Sequence, residues 1–129
     1  MSVIKWQRVE ALVISVAVLA AFAAIGGWSW LWWPFVLFLL FDFSALGYVA
    51  NNRVGAFFYN LVHNYGAAAA LGAIAAVTTT PWLGAVALAW ALHVGVDRAL
   101  GYGLKHPDHF QHTHLGWIGK AREAREADH

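Results

Sequence analysis

Residues 28–49 read WSWLWWPFVLFLLFDFSALGYV, twenty-two positions with a single charged side chain, Asp42. As a helix rising about 1.5 Å per residue they span about 33 Å, against about 30 Å for the hydrocarbon core of a bilayer. Working outward, three further apolar stretches stand out: Val9 to Ile25, Val54 to Val77, and Trp82 to Leu100. Gly26-Gly27, Asn51-Asn52-Arg53 and Thr78-Thr79-Thr80-Pro81 separate the four, and such short turn-forming linkers predict antiparallel neighbours.

Composition agrees. Of 129 residues, 60% are apolar and 12% charged, where a soluble domain carries roughly 25% charged and 45–50% apolar residues. The fold class expected is all-α, an integral membrane four-helix up-down bundle. The expected division is a four-span domain with a C-terminal loop over residues 1–119 and a charged tail over 120–129 that is a frayed helix or disordered.

A net charge of +1 gives no general attraction for nucleic acid, so none is expected as a partner. With no cysteine, disulfides and thiolate chemistry are excluded, and a metal site has to be built from His, carboxylate or amide groups. Lys5 and Arg8, the apolar run Ala11 to Ala24 and the small-residue pattern Ala21-Phe22-Ala23 share features of a signal peptide, but we read this segment as a retained span.

Cations orient the bundle. Lys5 and Arg8 precede the first span, Arg53 separates the second and third, and Arg98, Lys105, Lys120, Arg122 and Arg125 lie at or after the end of the fourth. Four crossings put all of them on one side, which the positive-inside bias makes cytoplasmic. The expected location is the bacterial inner membrane, with both termini inside. Trp28, Trp30, Trp32, Trp33 and Trp82 then form an outer aromatic belt, and the Gly and Ala residues of the third span permit close helix contact.

Polar groups interrupt this apolar background. Charged side chains inside a span cost about 2.5–3.5 kcal/mol on insertion scales and normally face partners within the protein. Asp42 lies about 12 Å, and His63 about 15 Å, from the turn at Asn51, so the two can meet at similar depth. His93 and Asp97 are four apart on one helical face, and Asn60, His63 and Asn64 recur at offsets of three and four. Glu10 stands at the start of the first span.

Asp42, His63, His93 and Asp97 are the ligand types of zinc, manganese or iron, and such an ion activates water. The leading expectation is therefore a membrane-embedded, metal-dependent hydrolase of a lipid ester or phosphoester. In it Glu10 or His114 serves as acid/base, and Arg98 or Lys105 receives a phosphate. The competing expectation is a non-catalytic membrane subunit or scaffold, joined to a membrane partner or to a second copy, in which His93 pairs with Asp42 and Asp97 with Arg98 or Lys105. Axial haem ligation by His63 and His93 is a third arrangement, against which the two carboxylates speak. Transport is a fourth, without the internal repeat that transporters use. His106, His109, His112 and His114 recur in a stretch too polar for lipid, read as a cytoplasmic loop that is either solvated or folded back on the bundle.

Asp42-Phe43-Ser44-Ala45-Leu46-Gly47-Tyr48, Tyr59-Asn60-Leu61-Val62-His63, and the run from His93 through Lys105, followed by Phe110 and Thr113-His114-Leu115-Gly116, carry a resemblance. Over roughly residues 8–120 the chain resembles the bacterial membrane family named domain of unknown function 4260. That resemblance implies the four-span fold and marks Asp42, Asn60, His63, His93, Asp97, Arg98, Tyr102, Lys105 and His114 as motif positions; His112 lies outside the pattern. A more distant similarity is to membrane-bound metal-dependent hydrolases, whose Asp-His and His-Arg-Gly-x-Thr-His-Ser elements are absent here.

Overall fold

The computed structural model describes residues 1–26 and 33–128. Its helices are α1 (Val3–Gly26), α2 (Trp33–Leu40), α3 (Asn52–Val62), α4 (Tyr65–Val77), α5 (Pro81–Leu100) and α6 (Gly119–Ala127). A 3-10 segment, Phe41–Val49, continues α2, and strands β1 (His112–Thr113) and β2 (Gly116–Trp117) form a short antiparallel hairpin. The chain is thus all-α apart from this hairpin. Trp28, Trp30, Trp32 and His129 lie outside the described residues.

The long helix α5 is the axis of the fold: α1, α2 and α4 all pack on it, while α3 packs against the 3-10 segment. Val18 and Phe22 of α1 meet Ala89 and Leu92 of α5 in the core, with Leu37 and Phe41 closing one side. Small residues set how closely α1 and α5 approach. A Cβ on Gly95 would lie 2.4 Å from Ser15 Oγ, whose own proton goes to the Ala11 carbonyl at 2.8 Å.

The second and third expected helices are each divided. The second tightens to 3-10 geometry at Phe41, and its close approach to α3 depends on Gly55, where a Cβ would fall 2.2 Å from the Tyr48 ring. The third breaks at His63-Asn64. Asn64 leaves helical geometry (φ −129°, ψ 148°) and caps α4 by accepting the Ala67 N–H at 3.0 Å. Asn51 caps α3 in the same way through Val54 N–H. Short polar side chains that mimic a backbone acceptor favour such N-cap positions over helix interiors. The cap at Asn64 prevails over the apolar run that suggested one continuous helix.

Breaking a helix orphans the carbonyls of its last turn, and here the exposed ones find donors. Tyr59 O accepts from His63 N and lies 3.0 Å from His63 Nδ1. Asn64 Nδ2 donates to Asn60 O and Leu61 O, each at 2.8 Å. Trp90 Nε1 reaches Val62 O at 2.6 Å, and Arg98 Nη2 reaches His63 O at 3.2 Å. The break is therefore a built feature, held from α5.

After α5 the chain turns at Gly101, whose φ of +101° suits glycine, with Gly101 N–H bonded to Arg98 O and Tyr102 N–H to Asp97 O. The following loop is fastened to α3 by a reciprocal pair. Lys105 N–H donates to Asn60 Oδ1 at 2.7 Å, and Asn60 Nδ2 donates to Lys105 O at 2.9 Å. Of the two forms open to this polar loop, solvated or folded back, the structure takes the second, and the tail beyond it is helical from Gly119 to Ala127.

Candidate metal centre

Three elements bring four side chains to one point. Asp42 comes from the 3-10 segment, His63 from the end of α3, and His93 and Asp97 from successive turns of α5. One donor atom from each lies within 4.8 Å of the others. His63 Nε2 and His93 Nε2 are 2.9 Å apart. Asp42 Oδ1 is 3.5 Å from the first and 3.4 Å from the second, and Asp97 Oδ2 is 3.5 and 3.7 Å from them. Bonds of about 2.0–2.2 Å to a first-row divalent ion place neighbouring donors about 3.0–3.5 Å apart, so the residues present fit such an ion.

The break at Asn64 aims His63. Its ring stacks on Tyr59 at 3.7 Å and 5°, and Nδ1 faces a carbonyl, which accepts only from an N–H. That contact fixes the neutral tautomer: the proton sits on Nδ1, leaving the Nε2 lone pair directed at the cluster. Ser44 Oγ, which donates to Phe41 O, stands 3.4 Å from the same Nδ1. His93 is fully buried between Phe38 and Phe41, and its Nδ1 has no hydrogen-bond partner among the described residues. Two imidazole nitrogens 2.9 Å apart leave no room for a macrocycle, which removes the axial haem arrangement.

The cluster is dry on one side and open on the other. His63 and His93 are 3% and 0% exposed, whereas the Asp42 side chain is 54% exposed. Asp42 forms part of the wall of an open groove of about 540 Å³ whose other lining is apolar, including Leu39, Phe43, Leu46 and Val49.

The remaining sequence candidates fall elsewhere. Arg98 bonds the His63 carbonyl and lies over the Tyr65 ring, and Lys105 Nζ sits over the rings of Tyr59 (5.0 Å) and Phe110 (4.2 Å), so neither makes the ion pair with Asp97 that the sequence suggested. Burial lowers the Lys105 ammonium to a pKa of about 8, against the pull of Asp97. His114 Nδ1 accepts the Leu104 N–H at 2.8 Å and packs on Gly103, which places its ring in the loop fastening. Glu10 is exposed on α1 and makes no recorded contact with the cluster among the described residues. Among the tail histidines, His112 pairs with Asp108 at 2.8 Å and stacks on both His106 and Trp117.

Sequence reading missed Tyr59. Its hydroxyl donates to Asp97 Oδ2 at 3.3 Å while its ring supports His63, so one side chain orients two members of the cluster. The signal was available as its i−4 spacing from His63, but a tyrosine in an apolar helix reads first as core.

Fold and site together define an all-helical chain organised around a buried two-histidine, two-aspartate cluster. The chain belongs to the family described as Domain of unknown function (DUF4260), which matches residues 4–118. No curated protein and no solved structure matches it.

Proposed function

We propose that the chain is a four-crossing inner-membrane protein whose Asp42, His63, His93 and Asp97 hold a zinc, manganese or iron ion and hydrolyse an ester or phosphoester of a lipid. The observation that carries this reading is the convergence of four ligand atoms at a point buried on the histidine side and open, through Asp42, to an apolar groove. An acyl chain fits that groove better than a free sugar or nucleotide would.

The membrane part rests on α1 and α5, both long and apolar enough to cross. Large apolar side chains also point outward from the other helices, among them Leu39, Leu46, Phe57, Leu61, Ile74 and Val77. The third crossing then comprises α3 and α4, and its break is tolerable in lipid because side chains from within the protein satisfy the freed carbonyls. With all eight Lys and Arg at one end, both termini are cytoplasmic.

Held by Asp42, His63, His93 and Asp97, such an ion would supply a Lewis acid and lower the pKa of a bound water. Water oxygen bonds to the carbonyl carbon or phosphorus, the ester bond to the leaving oxygen breaks, and a water proton ends on the leaving alcohol. Tyr59 and the Tyr59 carbonyl hold Asp97 and His63 in orientation. We assign Lys105, one ring away from His63, to the anionic oxygen of the substrate. Glu10 or His114 keeps the acid/base role expected from the sequence, and Arg98 is engaged in closing the helix break.

One observation favours a second reading. Each histidine lies within 3.7 Å of both carboxylates and of the other imidazole, so the cluster can also join α3, α5 and the 3-10 segment as a scaffold for a membrane partner or a second copy. A direct test is turnover of short-chain carboxylic esters and phosphodiesters by protein stripped of metal and reloaded with each ion. Metal-dependent product release that Asp42→Asn abolishes supports the hydrolase; no product with any ion, in folded and loaded protein, overturns it in favour of the scaffold.

A further inference from the structure

A second groove, of about 680 Å³, lies between the start of α1, the end of α5 and α6. It contains none of the four cluster residues. Arg8, Arg122 and Arg125 line it against a single carboxylate, Glu126, and Ile4 and Leu100 supply exposed apolar surface at its edge.

Its guanidiniums are held in place. Arg8 Nε donates to the Ala99 carbonyl at 2.9 Å, and its group lies over Gly101. Arg122 Nε bonds Glu126 at 2.8 Å, and Arg125 lies 4.0 Å from the centre of the Trp117 ring. A guanidinium carries five N–H donors. The single Nε bond recorded for Arg8 and for Arg122 fixes each plane and leaves its Nη pair for a bidentate acceptor.

The groove sits at the ends of the two helices most able to span, with exposed Tyr102 in its lining, at the level where aromatic and cationic side chains meet headgroups. We infer that it binds an anionic phospholipid of the cytoplasmic leaflet, with the phosphodiester among Arg8, Arg122 and Arg125 and an acyl chain along Ile4 and Leu100. Three cations against one anion complement a lipid of net charge −1, whereas a zwitterionic lipid brings its own ammonium into the same field. This inference rests on the membrane reading above but not on the hydrolase.

The test uses the full chain, delipidated in a nonionic detergent, with bound lipid counted by native mass spectrometry. The probes are phosphatidylglycerol, phosphatidylcholine of the same acyl length, and inorganic phosphate. The expected result is one phosphatidylglycerol per chain, bound about tenfold more tightly than phosphatidylcholine. Arg122→Ala with Arg125→Ala, both exposed on α6 and outside the core, removes that preference, and the double lysine variant, which keeps the charges without the planar forks, retains only part of it. Equal affinity for the two lipids, a preference unchanged in the alanine variant, or displacement of phosphatidylglycerol by millimolar phosphate would each overturn the inference. A chain that stays monodisperse after detergent removal overturns the membrane reading and this inference with it; lost lipid preference in a chain that still needs detergent overturns this inference alone.

Discussion

His63 and His93 face each other Nε2 to Nε2 at 2.9 Å, although thirty residues separate them and they belong to different helices. The contact is possible because α3 stops at His63, which swings the ring off the helical path and onto Tyr59. Asn64 is the residue that makes α3 stop. Replacing Asn64 with Ala removes an N-cap worth about 1–2 kcal/mol and strips donors from two carbonyls. We expect a midpoint lowered by several degrees in detergent thermal unfolding, together with weakened metal retention. An unchanged midpoint would show that the break is maintained by α5 alone.

Gly55 tests the approach of the 3-10 segment to α3. An alanine there meets the Tyr48 ring at 2.2 Å, so Gly55→Ala should destabilise by about 1–3 kcal/mol as an overpacked contact. Adding Tyr48→Ala should recover part of that loss. A double variant less stable than either single one contradicts the packing account.

Tyr59→Phe separates the two roles of this side chain. The stack on His63 remains and the hydroxyl bonded to Asp97 is lost. Outer partners of metal ligands are worth about 10- to 100-fold in affinity, so we expect metal binding to weaken by about tenfold while the unfolding midpoint moves little. Competition against a chelator of known affinity measures the first quantity.

His114 gives the loop fastening a pH dependence. Burial, and then the positive charge of Arg98, hold its pKa below the ordinary imidazole value, with His106 adding to the effect. A group whose folded pKa is depressed contributes stability that is fully present above its unfolded pKa, about 6.5, and is lost as pH falls through the folded value. The protection factor of the Leu104 amide, corrected for intrinsic exchange, should therefore fall as pH drops below about 6.5, and His114→Asn, which keeps an acceptor but not the titration, should flatten that profile. Asp108 does not interfere in this window: its pKa is depressed below the usual carboxylate value, chiefly by the hydrogen bond to His112, so its loss comes at lower pH.

The helical class was legible in the apolar runs, and the membership of the cluster in four polar residues that had no business in apolar helices unless they met. The i, i+4 spacing of His93 and Asp97 predicted their shared face, and α5 is continuous through both. The break at His63-Asn64 was not read, because hydrophobic periodicity averages over a single capping residue, although Asn before Tyr-Gly-Ala-Ala carried the signal. Arg98 and Lys105 were read by charge, as receivers of a phosphate or, in the scaffold reading, as partners of Asp97. In the structure Arg98 closes a helix end and Lys105 stands between two rings, neither in an ion pair with Asp97. His114 likewise was assigned by its titratable ring, while its recorded contact is with the Leu104 amide.

The most direct test of the central claim is the metal content of the untagged protein, purified in detergent and measured by elemental analysis beside a His63→Ala, Asp97→Ala variant shown by circular dichroism to keep its helices. The account predicts close to one zinc, manganese or iron per chain in the native protein and none in the variant. A native protein that stays folded and takes up none of the three, even after incubation with each, would contradict it.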